Sequence, residues 1–308
     1  MKKFITVLCL ALAIFTFVPN VTEAFVPANY AITEAQAAVS ISAKKKTLYV
    51  NESFKLTVKG TTKTVKWSSS NKKVAAVSSK GIVTAKKKGT ATITAKVGSK
   101  SYKCTVTVKT TALRKNITAT YYSFGKGEGV YGKFTNNNSS AVEIEMVVKY
   151  YNKKGKLLME TTGFNYCVEK GVTTLLSATA PYNEKNYQPV AYTDYTVELK
   201  IDKIPDSIYQ LRKNVSYKVT GKDDYGVSVK VKNKGKKKIG SCRFSALFYN
   251  KSGKVIGATY TYASIEDPKS TDEITLYYPT DSNYQPIKPA SYKIFLDNAY
   301  SYDWEFEE

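Results

Sequence analysis

Trp67-Ser68-Ser69-Ser70-Asn71, Val74-Ala75-Ala76-Val77, Gly81-Ile82-Val83-Thr84-Ala85 and Gly89-Thr90-Ala91-Thr92-Ile93-Thr94-Ala95 follow one another closely in a chain of 308 residues. Short runs with an alternating apolar pattern, punctuated by glycine, carry the period of strands with one buried face. The phase continues outward on both sides. Trp67 alternates in step with Val65, and Cys104 with Tyr102, Val106 and Val108, so Trp67 is expected to fill a core and Cys104 to line it as a small hydrophobe.

These runs closely resemble the bacterial Ig-like group 2 family over residues 39 to 109. The resemblance implies a β-sandwich. Members of that family occur in surface adhesins, intimin-like proteins and secreted wall-associated enzymes, where they act as spacers or as binding domains. It therefore implies a place outside the cell and leaves the ligand open.

The start of the chain agrees with export. Lys2-Lys3 precede an apolar stretch from Phe4 to Val18, the charged and hydrophobic regions of a signal peptide and too short for a membrane span. Cleavage is expected after Ala24, with Ala37 as a later alternative, and residues 25–39 read as a linker. Cys9 lies inside the apolar region and not at its end, which argues against a lipoprotein anchor. The terminal run from Asp303 to Glu308 has neither a hydrophobic tail nor a sortase-type motif, so attachment to the envelope is expected to be non-covalent, or the protein is released.

Beyond residue 109 the chain is duplicated. Leu113-Arg114-Lys115-Asn116-Ile117 recurs as Leu211-Arg212-Lys213-Asn214-Val215, Tyr151-Asn152-Lys153-Lys154-Gly155-Lys156 as Tyr249-Asn250-Lys251-Ser252-Gly253-Lys254, and Asn186-Tyr187-Gln188-Pro189 as Asn283-Tyr284-Gln285-Pro286. Collinear matches at a nearly constant offset define a tandem repeat of sandwich size. Val142, Ile144, Met146, Val148 and Tyr150 alternate in the first copy, as Cys242, Phe244, Ala246 and Phe248 do in the second. The Asn-to-Gly segments 152–155 and 250–253 then supply hairpin turns. In the second copy Val227, Val229, Val231 and Asn233, followed by Phe248 to Val255, are similar to FxLYD-like extracellular domains; Gly132 replaces one strand valine in the first. That resemblance implies a sandwich and no activity. The fold expected is all-β, with three tandem Ig-like sandwiches at 40–109, 110–205 and 206–308, each able to fold alone and joined by the short linkers 110–112 and 204–206 into a semi-rigid rod.

Charge is concentrated at one end. Residues 40–109 hold 17 Lys against a single acid, Glu52, a net +16, whereas residues 110–308 hold 28 Lys and Arg against 22 acids, a net +6. Such a field attracts polyanions, and Lys44, Lys45, Lys46, Lys86, Lys87 and Lys88 are the candidate contacts. The partner expected is an anionic cell-wall polymer or polysaccharide. The countervailing reading is that lysine is compositional: only Arg114, Arg212 and Arg243 are arginines, and recognition of phosphate or carboxylate usually recruits guanidinium. No motif for specific nucleic-acid binding accompanies the charge.

The chain contains no histidine, which excludes Ser-His-Asp and Cys-His catalysis and ordinary zinc sites; neither a metal nor another cofactor is expected. Asp223-Asp224 and Glu266-Asp267 are read as solvated loop acids. Once the leader is removed, Cys104, Cys167 and Cys242 are an odd set spread one per domain, expected as buried free thiols. Tyr187 and Tyr284 have two readings. Their rings suit stacking on a sugar, or the repeated Asn-Tyr-Gln-Pro is a structural corner with tyrosine packed across the sandwich end, which is the preferred role. The function expected is a non-enzymatic adhesion or binding protein of the bacterial surface or wall, the alternatives being a structural spacer or assembly subunit, or a carbohydrate-binding protein using the tyrosine loops.

Overall fold

The computed structural model describes residues 38–124, 128–205, 207–281 and 284–302; the leader, both cleavage alternatives, Asn283 and Trp304 lie outside them. The described residues from Val39 onward form one compact unit. In the first sandwich the strands are β1 (Ser40–Ile41), β2 (Lys45–Tyr49), β3 (Ser53–Lys55), β4 (Val58–Lys59), β5 (Lys66–Ser69), β6 (Ala75–Val77), β7 (Ile82–Ala85), β8 (Gly89–Val97) and β9 (Lys100–Lys109). One sheet has the order β2-β9-β8-β5 and the facing sheet β3-β7-β6. The alternation read from the sequence sends Ala91 and Ile93 on β8, and Cys104, Val106 and Val108 on β9, into a core shared with Leu56, Ala75, Val83 and Ala85. Gly81 is needed at its turn. Its φ is +79°, and a Cβ there would stand 2.3 Å from the Leu56 carbonyl oxygen and 3.0 Å from the Trp67 ring.

After a single helical turn, α1 (Ala112–Lys115), the first copy runs through β10 (Ile117–Ser123), β11 (Val130–Asn136), β12 (Val142–Tyr151), β13 (Leu157–Val168), β14 (Thr173–Ala178) and β15 (Asp194–Lys203). The second repeats it as β17 (Val215–Lys222), β18 (Gly226–Asn233), β19 (Ser241–Tyr249), β20 (Val255–Tyr262), β21 (Thr271–Tyr277) and β22 (Ser291–Tyr302), preceded by a short β16 (Ile208–Gln210). Sheets β10-β11-β14 and β13-β12-β15 correspond to β17-β18-β21 and β20-β19-β22, with β16 added beside β22. Both hairpins form as expected: the Asn152 and Asn250 side chains each accept two backbone N–H groups of their turns, and Gly155 and Gly253 have φ of +77° and +74°.

The copies differ where their cores differ. A Cβ on Gly132 would lie 2.5 Å from the Phe134 ring and 2.7 Å from the Met146 sulfur, so glycine makes room for a bulky pair. Asn136 and Asn233, fully buried at the ends of β11 and β18, serve both copies alike. Asn233 Nδ2 donates to the carbonyls of Lys237, Ile265 and Asp267, and Asn136 Nδ2 to those of Ser140 and Val168. Each amide ties down two loops at once.

The three sandwiches are not beads on a rod, because side-chain contacts bind them into one body. The outer side of edge strand β15 is capped by the first sandwich and by α1: Ser53 Oγ accepts from Val197 N at 2.8 Å, Glu52 Oε1 from Leu199 N at 3.4 Å, and Arg114 Nη2 donates to the Leu199 carbonyl. A free edge is thereby closed against other chains. Lys55 and Lys80 both reach Asp194 at 3.2 Å. Between the copies, Tyr122, Phe124, Tyr131 and Leu175 pack on Tyr249, Leu247, Ala258 and Phe295, so the copies stack four sheets deep. β19 is buried on both faces in consequence. Its even-numbered residues fill its own sandwich, while Arg243, Ser245 and Leu247 face the other copy. Arg243 Nη1 donates to Asp297 Oδ2 and to the Leu175 carbonyl, each at 2.6 Å.

Candidate functional site

The only carboxylate of residues 40–109 is turned inward. Glu52 is buried, bonded to Arg114 Nη1 at 2.7 Å and to Tyr49 N at 2.8 Å, and the Arg114 guanidinium lies 4.4 Å from the Tyr49 ring centre. Lys55 and Lys80 are drawn off by Asp194; the other 15 lysines of the domain have no carboxylate partner among the described residues.

Of the lysines expected as contacts, Lys44, Lys45 and Lys46 are exposed at the start of β2, and Lys86, Lys87 and Lys88 are exposed in the turn between β7 and β8. They are two sites, not one. Lys45 is level with Thr105 on β9, whereas Gly89, just after the second cluster, is level with Val108 and two strands over. Both border one end of a face that no run of sequence marks, and which extends away from them. Register places Thr47, Thr107 and Thr90 in one row across the β2-β9-β8 surface, Lys45, Thr105 and Thr92 in the next, then Lys103, Thr94 and Ser68, then Ser101, Lys96 and Lys66. The face holds hydroxyls and ammonium groups and no acid. Lys66 and Lys96 are direct cross-strand partners, both exposed, and like charges so placed cost stability. The signal was present in the alternation of Thr90-x-Thr92-x-Thr94-x-Lys96, but the parallel pairing of β2 with β9 was needed to assemble it.

Trp67 is half-buried, not enclosed as expected. One side packs on the core of the first sandwich, and the ring also lines a cleft of about 430 Å³ whose other walls include Lys55, Lys80, Lys153, Lys154 and Asp194. The hairpin turn of the first copy thus overhangs the first sandwich, and the uncovered side of the indole borders the cleft between them.

Tyr187 and Tyr284 contradict the corner role. Both are 77 % exposed, and both have left-handed backbone, with φ of +56° and +60°, an uncommon conformation for a residue with a bulky side chain. The corner is built by other atoms: Asn183 Oδ1 accepts from Lys185 N, Asn183 O from Tyr187 N, and Asp281 Oδ1 from Gln285 N. The rings are left facing outward, with Tyr187 stacked on Tyr182 at 6.0 Å.

The remaining candidates are quiet. Asp223 accepts from the N–H groups of Tyr225 and Gly226, which hold its carboxyl below the usual range, and Asp224 pairs with Lys288 at the surface. Among the described residues no group of three or more His, Cys, Asp or Glu side chains is arranged to hold a metal ion. Cys104, Cys167 and Cys242 are buried free thiols; burial pushes the latter two up to about 12.

The fold and its surfaces define an all-β chain of stacked Ig-like sandwiches with a cationic first domain. Residues 35–108 match the family model of the bacterial Ig-like domain (group 2), and that stretch is a domain of this family. Compared with curated proteins, the chain matches none. No helix among the described residues is long and apolar enough to cross a membrane.

Proposed function

We propose that this is a non-enzymatic binding protein of the bacterial cell exterior, whose first domain holds anionic envelope polymers on the Thr/Lys face of the β2-β9-β8-β5 sheet. The observation that carries this reading is the placement of charge. The domain's one acid is spent on the interior contact with Arg114, while Lys66 and Lys96 stand opposite each other in the open at a cost to stability that a bound polyanion would offset. Each ammonium contributes little alone, and a row of them acts additively on a repeating anion. The leader-like start of the chain supports export, and the match to the group 2 Ig-like model supports a surface role.

The test compares wall preparations that retain their anionic polymers with the same wall stripped of them. Binding to the first at low ionic strength and release near 1 M salt, where the screening length shrinks to about 3 Å, is the expected result. Equal binding to both preparations overturns the reading.

A further inference from the structure

A second surface lies between the two copies, where the packed sheet-to-sheet contact ends and a cleft of about 250 Å³ opens. Its walls follow from register. On β20, Val255 and Ala258 are closed against the first copy, and the next outward residues of that row, Tyr260 and Tyr262, extend past the contact and stay 44 % and 56 % exposed. Facing them from the first copy is Tyr166, 48 % exposed, its ring 4.1 Å from that of Phe164. Tyr300 of β22 stands 6.5 Å from Tyr166. Aromatic faces from both copies therefore border one opening.

The floor is polar, and a bulge makes it so. Arg243 pairs with Asn298 and Phe244 with Leu296, which leaves Asp297 as an extra residue on β22. Two successive side chains, Asp297 and Asn298, consequently point to the inter-copy face. Asp297 is spent on Arg243 and Ser245, so the floor is electrically balanced. Asn298, 3 % exposed, is oriented by its neighbour: Asn165 Oδ1 already accepts from Cys167 N, so Asn298 must present Nδ2 to it, at 2.7 Å. That fixes Asn298 Oδ1 on the opposite side, as a buried acceptor with no protein partner among the described residues. A buried carbonyl of this kind calls for a donor.

We propose that this inter-copy cleft is a subsite for one ring of a neutral glycan. Tyr166 and Tyr262 offer ring faces to the C–H side of a sugar, Tyr260 is held beside them with the Arg243 guanidinium 4.4 Å from its ring centre, and Asn298 Oδ1 accepts from a sugar hydroxyl. The balanced Arg243–Asp297 pair gives no preference for an anion, which separates this subsite from the cationic face of the first domain. The opening is below the roughly 300–1,000 Å³ of sites that enclose drug-sized ligands, so it fits a single unit of a longer chain.

The experiment titrates the intact protein with tetra-N-acetylglucosamine, cellotetraose and mannotetraose by calorimetry, with and without 1 M NaCl. Binding of at least one, unchanged by salt and weakened about tenfold by Tyr262→Ala and by Tyr166→Ala, is the expected result. Both positions are solvent-exposed, so the variants keep their fold, checked by circular dichroism. Tyr187→Ala and Tyr284→Ala serve as controls and leave the affinity unchanged. No binding of any of the three probes by the folded chain overturns the proposal, as does binding that depends on Tyr187 or Tyr284 in place of Tyr166 and Tyr262. A proline-rich peptide that binds the cleft while the sugars do not also overturns it, and marks the aromatic walls as a peptide groove.

Discussion

Glu52 and Arg114 meet at 2.7 Å across the boundary between the first sandwich and the first copy, each side chain 10 % exposed. Their contact joins three tasks: it removes the domain's only negative charge from its surface, caps the open edge of β15 through the Leu199 N–H and carbonyl, and fixes the first sandwich to its neighbour. Breaking a buried pair from one side strands the other charge. Arg114→Met should therefore lower stability by about 3–5 kcal/mol, read as a lower denaturant midpoint, whereas truncating exposed Lys200, paired with Glu145 at the surface, should leave the midpoint in place. Equal effects would show that the boundary contact is peripheral.

The copies should not be interchangeable at Gly132. Val229 fills the corresponding place in the second copy, yet Gly132→Val would drive a side chain into Phe134 and Met146 and should destabilise the chain by about 1–3 kcal/mol. A neutral effect in thermal unfolding would mean that the first copy's core can repack around the methyls.

The thiols report on the contact between copies. Cys167 lies with Ala141, Ile208 and Tyr300 in a cluster that both copies build, and burial raises the Cys167 and Cys242 thiols to about 12. At pH 8 the native protein should resist iodoacetamide at both positions, and full reactivity should appear in denaturant. Because the folded values lie above the ordinary 9.0, these groups contribute their full stability below about pH 9 and lose it as pH rises towards 12. Rapid native labelling of Cys167 alone would show that the copies separate in solution.

What the sequence made legible was the strand period of the long core strands and the chemistry of the hairpin turns. Alternation placed Val142, Ile144, Met146, Val148 and Tyr150 in a core where all are buried, and Asn-to-Gly segments placed both hairpins. What it hid was contact between elements far apart in the chain. Arg243 gives no local sign of its burial, because that depends on Asp297 and the Leu175 carbonyl; the short linkers by themselves suggest a semi-rigid rod instead of stacked copies. The same reason explains the site. Lysine clusters stand out as runs, at Lys44 to Lys46 and Lys86 to Lys88, while Lys66, Lys96 and Lys103 are scattered until β5, β8 and β9 pair. The repeated Asn-Tyr-Gln-Pro was legible as a shared loop, but the left-handed backbone that turns both rings outward was not.

On the proposed function this Thr/Lys face, and not lysine content at large, holds the envelope polymer. The most direct measurement is the affinity of the intact protein for wall carrying its anionic polymers at low ionic strength, for the parent, for the Lys66→Glu, Lys96→Glu, Lys103→Glu variant and for a variant with Lys251, Lys254 and Lys269 of the second copy changed to Glu, which has the same net charge. The expected result is at least about a tenfold loss in the first variant and near-parental binding in the second, with both variants folded. Equal losses in the two, or full binding by the first, would contradict it.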